Sequence, residues 1–573
     1  MTTVLLERPV EQGTRSSVWK GLSRYCAWLL VLTSAVLIVH TWTIYDQTGD
    51  ENDHIAGGME WLANHTFSID AVDPPLPPVM VALGPSALGL KQRVSGDPWK
   101  SGNEILACGN YHHVLYAARA GTMVFFLFAA YLVWSAGREV LGEWGACLAL
   151  GLFGLLPEVM AHSSLATTDA SMFAMLFWAL DRLWRLLDRR TVKNALLAGV
   201  SAALAMVSKM TALPCILLAL ICFAVLRWHR ARRGEEMIHP RPWSRILLSF
   251  VTCCIVVWGM YFFTVGSIAP PGSEDRAKLT VLMERHHLPP SPVLTVLTHL
   301  PAPEFFAGLR AARAIGKNSG HYWLLGKNRT HATRMFFPVI FAAKMPIPFT
   351  VLFLAGFALA ARMVWRSDGS PYREVFLTGA FVPFGFGVLS GVNLGSRHIL
   401  GMVPFAALLA AVAAQWMWRT GAVQRGTVIV LLAWFAVDAA WAARDPLPWY
   451  NEVAQQMPHG GAWFEPGSDF DWGQDLKRVP AMLAQDHVQR FSFAYNGSAD
   501  LSRAGLPAYT LLQPGEHARG WVVASAAMLM TGRSAFGWIN AYKPVARAGQ
   551  TIWLYWIPAA NGPVSAGRVE MSR

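Results

Sequence analysis

About eleven apolar runs, each near the roughly 20 residues needed to cross 30 Å of hydrocarbon, recur along a chain of 573 residues. They lie roughly at 25–45, 114–136, 144–162, 166–183, 194–209, 211–228, 246–267, 336–362, 375–391, 398–417 and 426–443. Backbone inside a bilayer must satisfy its own hydrogen bonds, so repeated runs of this length fold as a helical bundle. With 54% hydrophobic and only 15% charged residues, a soluble core is excluded and a polytopic membrane protein is expected.

The formal net charge of +12 does not signal nucleic acid, because Lys and Arg fall in short loops between the runs and not in one basic domain. The N-terminus, Arg138, the groups Arg182–Lys193 and Arg227–Arg245, then Arg362–Arg373, Arg419 and Arg425 alternate onto one side, which the positive-inside rule makes cytoplasmic. The first run follows Arg8, Arg15, Lys20 and Arg24 without a small-residue cleavage site and reads as an uncleaved span. Six of seven cysteines lie in or beside apolar runs, with no disulfide or metal spacing. Residues 444–573 read as a small soluble α/β domain on the outer side, with strands at Phe491–Tyr495, Trp521–Ser525 and Thr551–Ile557, following a membrane domain of 1–443.

The polar clusters gather on the opposite side, in loops 46–113 and 268–335 and in short turns. Asp50, Glu51, Asp53 and His54 follow the first span directly, where a charge costs several kcal/mol unless a cavity or partner receives it. A solvated first helical turn is the alternative. Asp73 precedes a stiff Pro74-Pro75 entry to the apolar segment 79–90. His162 and Asp169 share a short turn in which Thr168-Asp169 could equally cap the next helix. Lys209 is bracketed by apolar segments, so a snorkelling lysine is the competing reading. Lys344 sits within the eighth run and Arg397-His398 opens the tenth, a placement of cations that suits an anionic ligand such as phosphate. His286-His287 offers no metal pair, because adjacent helical residues face different ways.

In order along the chain, Asp50-Glu51, Pro74-Pro75-Leu76, Ala161-His162 with Thr168-Asp169, Lys344-Met345-Pro346-Ile347-Pro348, Ser396-Arg397-His398 and Asp471-Trp472-Gly473-Gln474-Asp475 resemble the bacterial polyprenyl-phosphate-dependent glycosyltransferases of the glycosyltransferase-C superfamily. The similarity is to the protein O-mannosyltransferase and aminoarabinose transferase group. It implies an all-α polytopic enzyme in the bacterial inner membrane, with interfacial periplasmic helices and a periplasmic active site. The donor would be a sugar on a polyprenyl phosphate, and the acceptor a lipid, glycan or protein. Asp50 matches the first-loop catalytic acid, Glu51 its partner and Asp169 the second acidic position. Where many relatives carry His or Lys before Pro-Pro, this chain has Asp73.

Sugar transfer needs a carboxylate to take the acceptor proton and positive charge to hold the departing phosphate. Asp50 is the expected base, with Glu51 and Asp169 orienting the acceptor. His54, Asp73, His162, Lys209, Lys344, Arg397 and His398 are expected to bind substrate. No cofactor is required. A divalent metal ion, if used, would fall to Asp50, Glu51 and Asp169. A transporter or flippase of an anionic, lipid-linked substrate is the reading from another class, and it would need polar groups in both leaflets.

Overall fold

The computed structural model describes residues 12–70, 72–234, 243–267, 281, 285, 299–318, 322–368, 370–531 and 536–559. His286-His287 lies outside them. The chain is mostly helical: α1 (Gln12–Ile44), α2 (Glu51–Asn64), α3 (Leu76–Ala87), α4 (Pro98–Ala107), α5 (Tyr111–Gly154), α6 (Pro157–Ser163), α7 (Asp169–Asp188), α8 (Val192–Met206), α9 (Ala212–Arg232), α10 (Ser244–Met260), α11 (Pro303–Asn318), α12 (Phe336–Lys344), α13 (Ile347–Arg366), α14 (Arg373–Ser390), α15 (Val403–Thr420) and α16 (Ala422–Ala442).

Six of the described helices are long and apolar enough to cross a membrane, and the protein is a multi-pass membrane protein. Differences from the eleven runs have local causes. The second and third runs join as α5, which doubles back at Gly142. That residue's φ of 75° with ψ of −176° is open to glycine alone. Beyond the turn the two legs pack so closely that a Cβ on Gly137 would meet Ala146 Cα at 2.9 Å. Charges at both ends of α7 remove it from the six, although it is buried along most of its length. Helices α8 and α10 are apolar but shorter.

At one end of the bundle the basic helix ends pair with carboxylates: Arg138 with Glu143 at 2.7 Å, Arg185 with Glu139 at 2.5 Å and Arg230 with Glu374 at 2.9 Å. The middle is closed by α15, whose residues from Phe405 to Ala414 are at most 4% exposed. The loops between spans and the segment beyond α16 meet at the other end.

That last segment holds a five-stranded sheet of Arg490–Ala494, Ala508–Leu511, Gly520–Ser525, Ala546–Ala548 and Ile552–Ile557. The first pairs in parallel with the second and third, the third is central in the sheet, and the fifth runs antiparallel to both the third and the fourth. Three of these strands fall on the runs expected from sequence. Register places Phe493 beside Val523, and Val523 beside Leu554. These three form one small core with Leu476, Val479 and Leu483. Residues one step along, Val522, Ala524 and Tyr555, face the other way into the main core, so the sheet is covered on both faces.

Candidate active site

At the loop-bearing end the chain encloses a cavity of about 920 Å³. Its lining brings Asp50, Asp53, Asp70 and Asp73 together with Lys209, Thr211, Arg397 and His398, and adds the apolar Met210, Leu309, Ile315, Phe386 and Leu394. Asp50 is the N-cap residue of α2, yet its side chain makes no capping hydrogen bond. It pairs instead with Arg397 Nη1 at 2.6 Å, and the solvated-turn reading fails. The Arg397 guanidinium also lies 4.5 Å from the centre of the Trp472 ring. Burial works against its charge, but Asp50 and Asp169 hold its pKa above the usual arginine value.

Asp169 does not cap α7 either. Buried behind the cavity wall, it accepts from Lys209 Nζ at 2.5 Å and from Thr167 Oγ1 at 3.2 Å, with His162 Nδ1 at 3.2 Å. Lys209 is therefore held in place and does not snorkel. His162 Nε2 in turn lies 3.6 Å from Glu158. Thus Asp169 and His162 position the lysine from behind, while Lys209, Arg397 and His398 line the cavity itself. Three polar atoms of that lining are buried without a partner among the described residues: Arg397 Nε, Thr211 Oγ1 and His398 Nε2.

Two expected site residues stand elsewhere. Glu51 is fully buried and makes two hydrogen bonds with Arg119, both 2.8 Å, while the N–H groups of Ala166 and Thr48 donate to it at 2.7 and 2.8 Å. All its strong acceptor positions are used, so it holds the loop and does not line the cavity. Burial raises its pKa, but Arg119 outweighs that and leaves it below the ordinary carboxylate value. Lys344, also fully buried, pairs with Glu158 at 2.9 Å and donates to the carbonyls of Leu447, Trp449 and Asp469. It fastens α12 to the segment beyond the last helix and does not line the cavity. Replacing Lys344 by Met is expected to destabilise the fold by about 3–5 kcal/mol by stranding Glu158. Lys209→Arg keeps a cation on the buried Asp169 carboxylate, so it is expected to melt near wild type while its altered reach weakens donor binding. Thermal melting in detergent, beside donor binding, separates the two.

The carboxylates offered as metal ligands do not converge, because Asp50, Glu51 and Asp169 are each committed to a different cation: Arg397, Arg119 and Lys209. A different group does converge. Asp53, His54 and Asp70 bring one ligand atom each within 4.8 Å of one another. This group is electrostatically loaded: burial lifts Asp53 well up and pushes Asp70 to about 7, with Asp73 adding to the latter. Burial lowers His54, but Asp53 and Asp73 raise it well above its ordinary value.

Sequence reading sets Asp53 in the catalytic or binding rim without a role of its own and gives none to Asp70, Thr211 or Trp99, all cavity residues. Asp53 carried a usable signal, since positions i and i+3 share a helix face with Asp50. Asp471-Trp472-Gly473-Gln474-Asp475 is a clasp. The N–H groups of Asp46 and Gly49 donate to the carbonyls of Gln474 and Trp472 at 2.9 and 3.1 Å, which fixes the loop that presents Asp50. Asp475 binds the sheet through Gln550 N, Thr551 N and Thr551 Oγ1.

Residues 111–258 match the family model described as dolichyl-phosphate-mannose-protein mannosyltransferase. The matched segment carries Arg119, Asp169 and Lys209. Solved structures similar to this chain include ArnT from Cupriavidus metallidurans in the apo state, at 14% identity and a TM-score of 0.45, covering 92% of this chain and 97% of that one. The Archaeoglobus fulgidus oligosaccharyltransferase in the apo form is 12% identical with a TM-score of 0.45, covering 94% of this chain and 75% of that one. The S. cerevisiae protein O-mannosyltransferase Pmt1-Pmt2 complex bound to the sugar donor is 12% identical with a TM-score of 0.48, covering 77% of this chain and 92% of that one. Curated protein sequences give no match.

Proposed function

We propose that the protein is an inner-membrane glycosyltransferase that moves a sugar from a polyprenyl-phosphate carrier to a hydroxyl acceptor at the periplasmic face, with residues 444–573 as an outer domain. The observation that carries this reading is one cavity lined by Asp50, by Lys209, Arg397 and His398, and by apolar side chains. A lipid-linked phosphate is amphiphilic in the same way: its chain suits Leu309, Ile315 and Phe386, and its phosphate suits the cations.

Asp50 takes the proton of the acceptor hydroxyl as the oxygen attacks the anomeric carbon. The bond from that carbon to the phosphate oxygen breaks, and the electron pair leaves with the phosphate. Lys209 and Arg397 meet the developing charge. Arg397, now on Asp50, shifts toward the phosphate and leaves the carboxylate more basic. A single displacement from the opposite side inverts the anomeric centre. The basic end of the bundle then faces the cytoplasm.

A transporter is the weaker reading, because a path needs polar groups in both leaflets and the acids of the cavity gather at one end of the chain's spans. The test is full-length protein in liposomes, given polyprenyl-phosphate sugars with radiolabel in the sugar. Label moving into an acceptor with release of polyprenyl phosphate is expected. Label crossing the bilayer with its phosphate bond intact would overturn the reading. Mass spectrometry of glycans missing from a deletion strain identifies the acceptor.

A further inference from the structure

Trp99 lines the cavity together with Asp50, yet it is 45% exposed. Tryptophan is often left open as an anchor at the bilayer surface, with its polar edge turned to the headgroups. Here that edge is spent on the protein itself, because the indole N–H donates to the carbonyl of Gly49 at 3.2 Å. Its chain neighbours on α4, Asp97 and Lys100, are exposed charges. The helix that carries the ring is held firmly. Asp97 caps it by accepting from the Lys100 N–H at 2.9 Å, with Pro98 in the first turn. The Trp99 carbonyl accepts from Asn52 Nδ2 at 2.9 Å, and α4 lies so close to α2 that a Cβ on Gly102 would meet Asn52 O at 1.9 Å. Asn103 ties the same helix to Gln47 at 3.0 Å and to the carbonyl of Ser498, beyond α16, at 2.7 Å.

An open aromatic face that is already immobile loses little entropy when a ligand is laid on it. The face of an indole is the negative part of its quadrupole and attracts polarised C–H groups. The carboxylates of Asp50 and Asp53 line the same cavity and accept hydrogen bonds. A saturated ring with C–H groups on its faces and hydroxyls around its edge matches both at once. We infer that Trp99 is the stacking platform for a carbohydrate acceptor: the C–H face of a pyranose lies on the indole, and one of its hydroxyls reaches Asp50. The indole is bonded to the residue immediately before Asp50, so platform and base are fixed to each other, whereas Lys209 and Arg397 come from the loops before α9 and α15. Trp99 is thus a binding and positioning residue for the acceptor. That the ring belongs to the acceptor rests on the function proposed above; that a pyranose stacks on Trp99 does not.

The test is saturation-transfer NMR on full-length protein, in a detergent without a sugar headgroup and with no donor present. Methyl pyranosides of the gluco, galacto and manno series are the probes. At least one is expected to bind through the C–H protons of one ring face. Trp99→Ala should weaken that binding at least tenfold, Trp99→Phe should keep part of it because phenyl retains a face, and Trp556→Ala, an exposed tryptophan on the sheet, should leave it unchanged. Melting selects variants that fold, and Trp99→Leu, which keeps bulk without a π face, replaces Trp99→Ala if that one does not. No binding of any of the three, or equal affinity of folded Trp99→Ala and wild type, would overturn the platform. With labelled polyprenyl-phosphate sugar added, label is expected on the bound pyranoside, and Trp99→Ala should raise the KM for the pyranoside while the donor KM stays put. Label reaching a threonine peptide but not the pyranoside, or a rise in donor KM alone, would overturn the assignment to the acceptor. Pyranoside binding by a protein that transfers no sugar at all would sink the glycosyltransferase reading and leave the platform, and transfer without pyranoside binding would do the reverse.

Discussion

Asp50→Asn is expected to lower sugar transfer by about 10²–10⁴-fold, the usual contribution of a general base, while the protein extracts and melts like wild type. Stability should barely move because the pair with Arg397 is partly open to solvent, with 29% of the Asp50 and 19% of the Arg397 side chain accessible. Pairs of that kind contribute about 0–1 kcal/mol. Asparagine keeps the size and can still accept a hydrogen bond from Arg397, so donor binding should survive. Transfer measured with radiolabelled donor, alongside a melting curve, decides the matter. Retained transfer would remove Asp50 from the chemistry.

Its neighbour should behave in the opposite way. Glu51→Gln leaves Arg119, fully buried, without its counter-charge, and a broken buried pair costs about 3–5 kcal/mol. The expected result is a markedly lower melting midpoint and poor yield, with transfer per folded molecule reduced much less than for Asp50→Asn. The pH dependence follows from the lowered pKa of Glu51. A carboxylate depressed in the fold contributes stability that is complete above its unfolded value, near 4.5, and is lost as pH falls through the folded value. Wild type should therefore lose this contribution only in acid, whereas Glu51→Gln lacks it at every pH. Parallel acid limbs for the two proteins would show that Arg119 is not held this way.

These adjacent residues show what the sequence makes legible. Charge emerging from an apolar run marks Asp50 and Glu51 equally, because the cost of burying either is the same. Which of them meets Arg119 and which meets the cavity depends on helix phase and on a partner 68 positions away, and no local pattern encodes that. Lys344 shows the same limit. A cation inside an apolar run looks like a phosphate ligand, yet the carbonyls that receive it come from 447 to 469. Periodicity and length were enough for the helical class and for three strands of the sheet. Ala508–Leu511 and Ala546–Ala548 are strands of four and three residues on the sheet edges, too short to leave a pattern. Asp70 leaves no mark in the sequence because its place in the cavity is set by packing alone.

The clasp from Trp472 and Gln474 onto Gly49 and Asp46 has a consequence for biogenesis. The ribosome delivers Asp50 near the start of synthesis and the residues that fix its loop only after α16. A nascent chain halted at that stage would carry every span and still lack a competent centre. The loop that presents Asp50 is thereby fixed only once the last portion of the chain has folded against it.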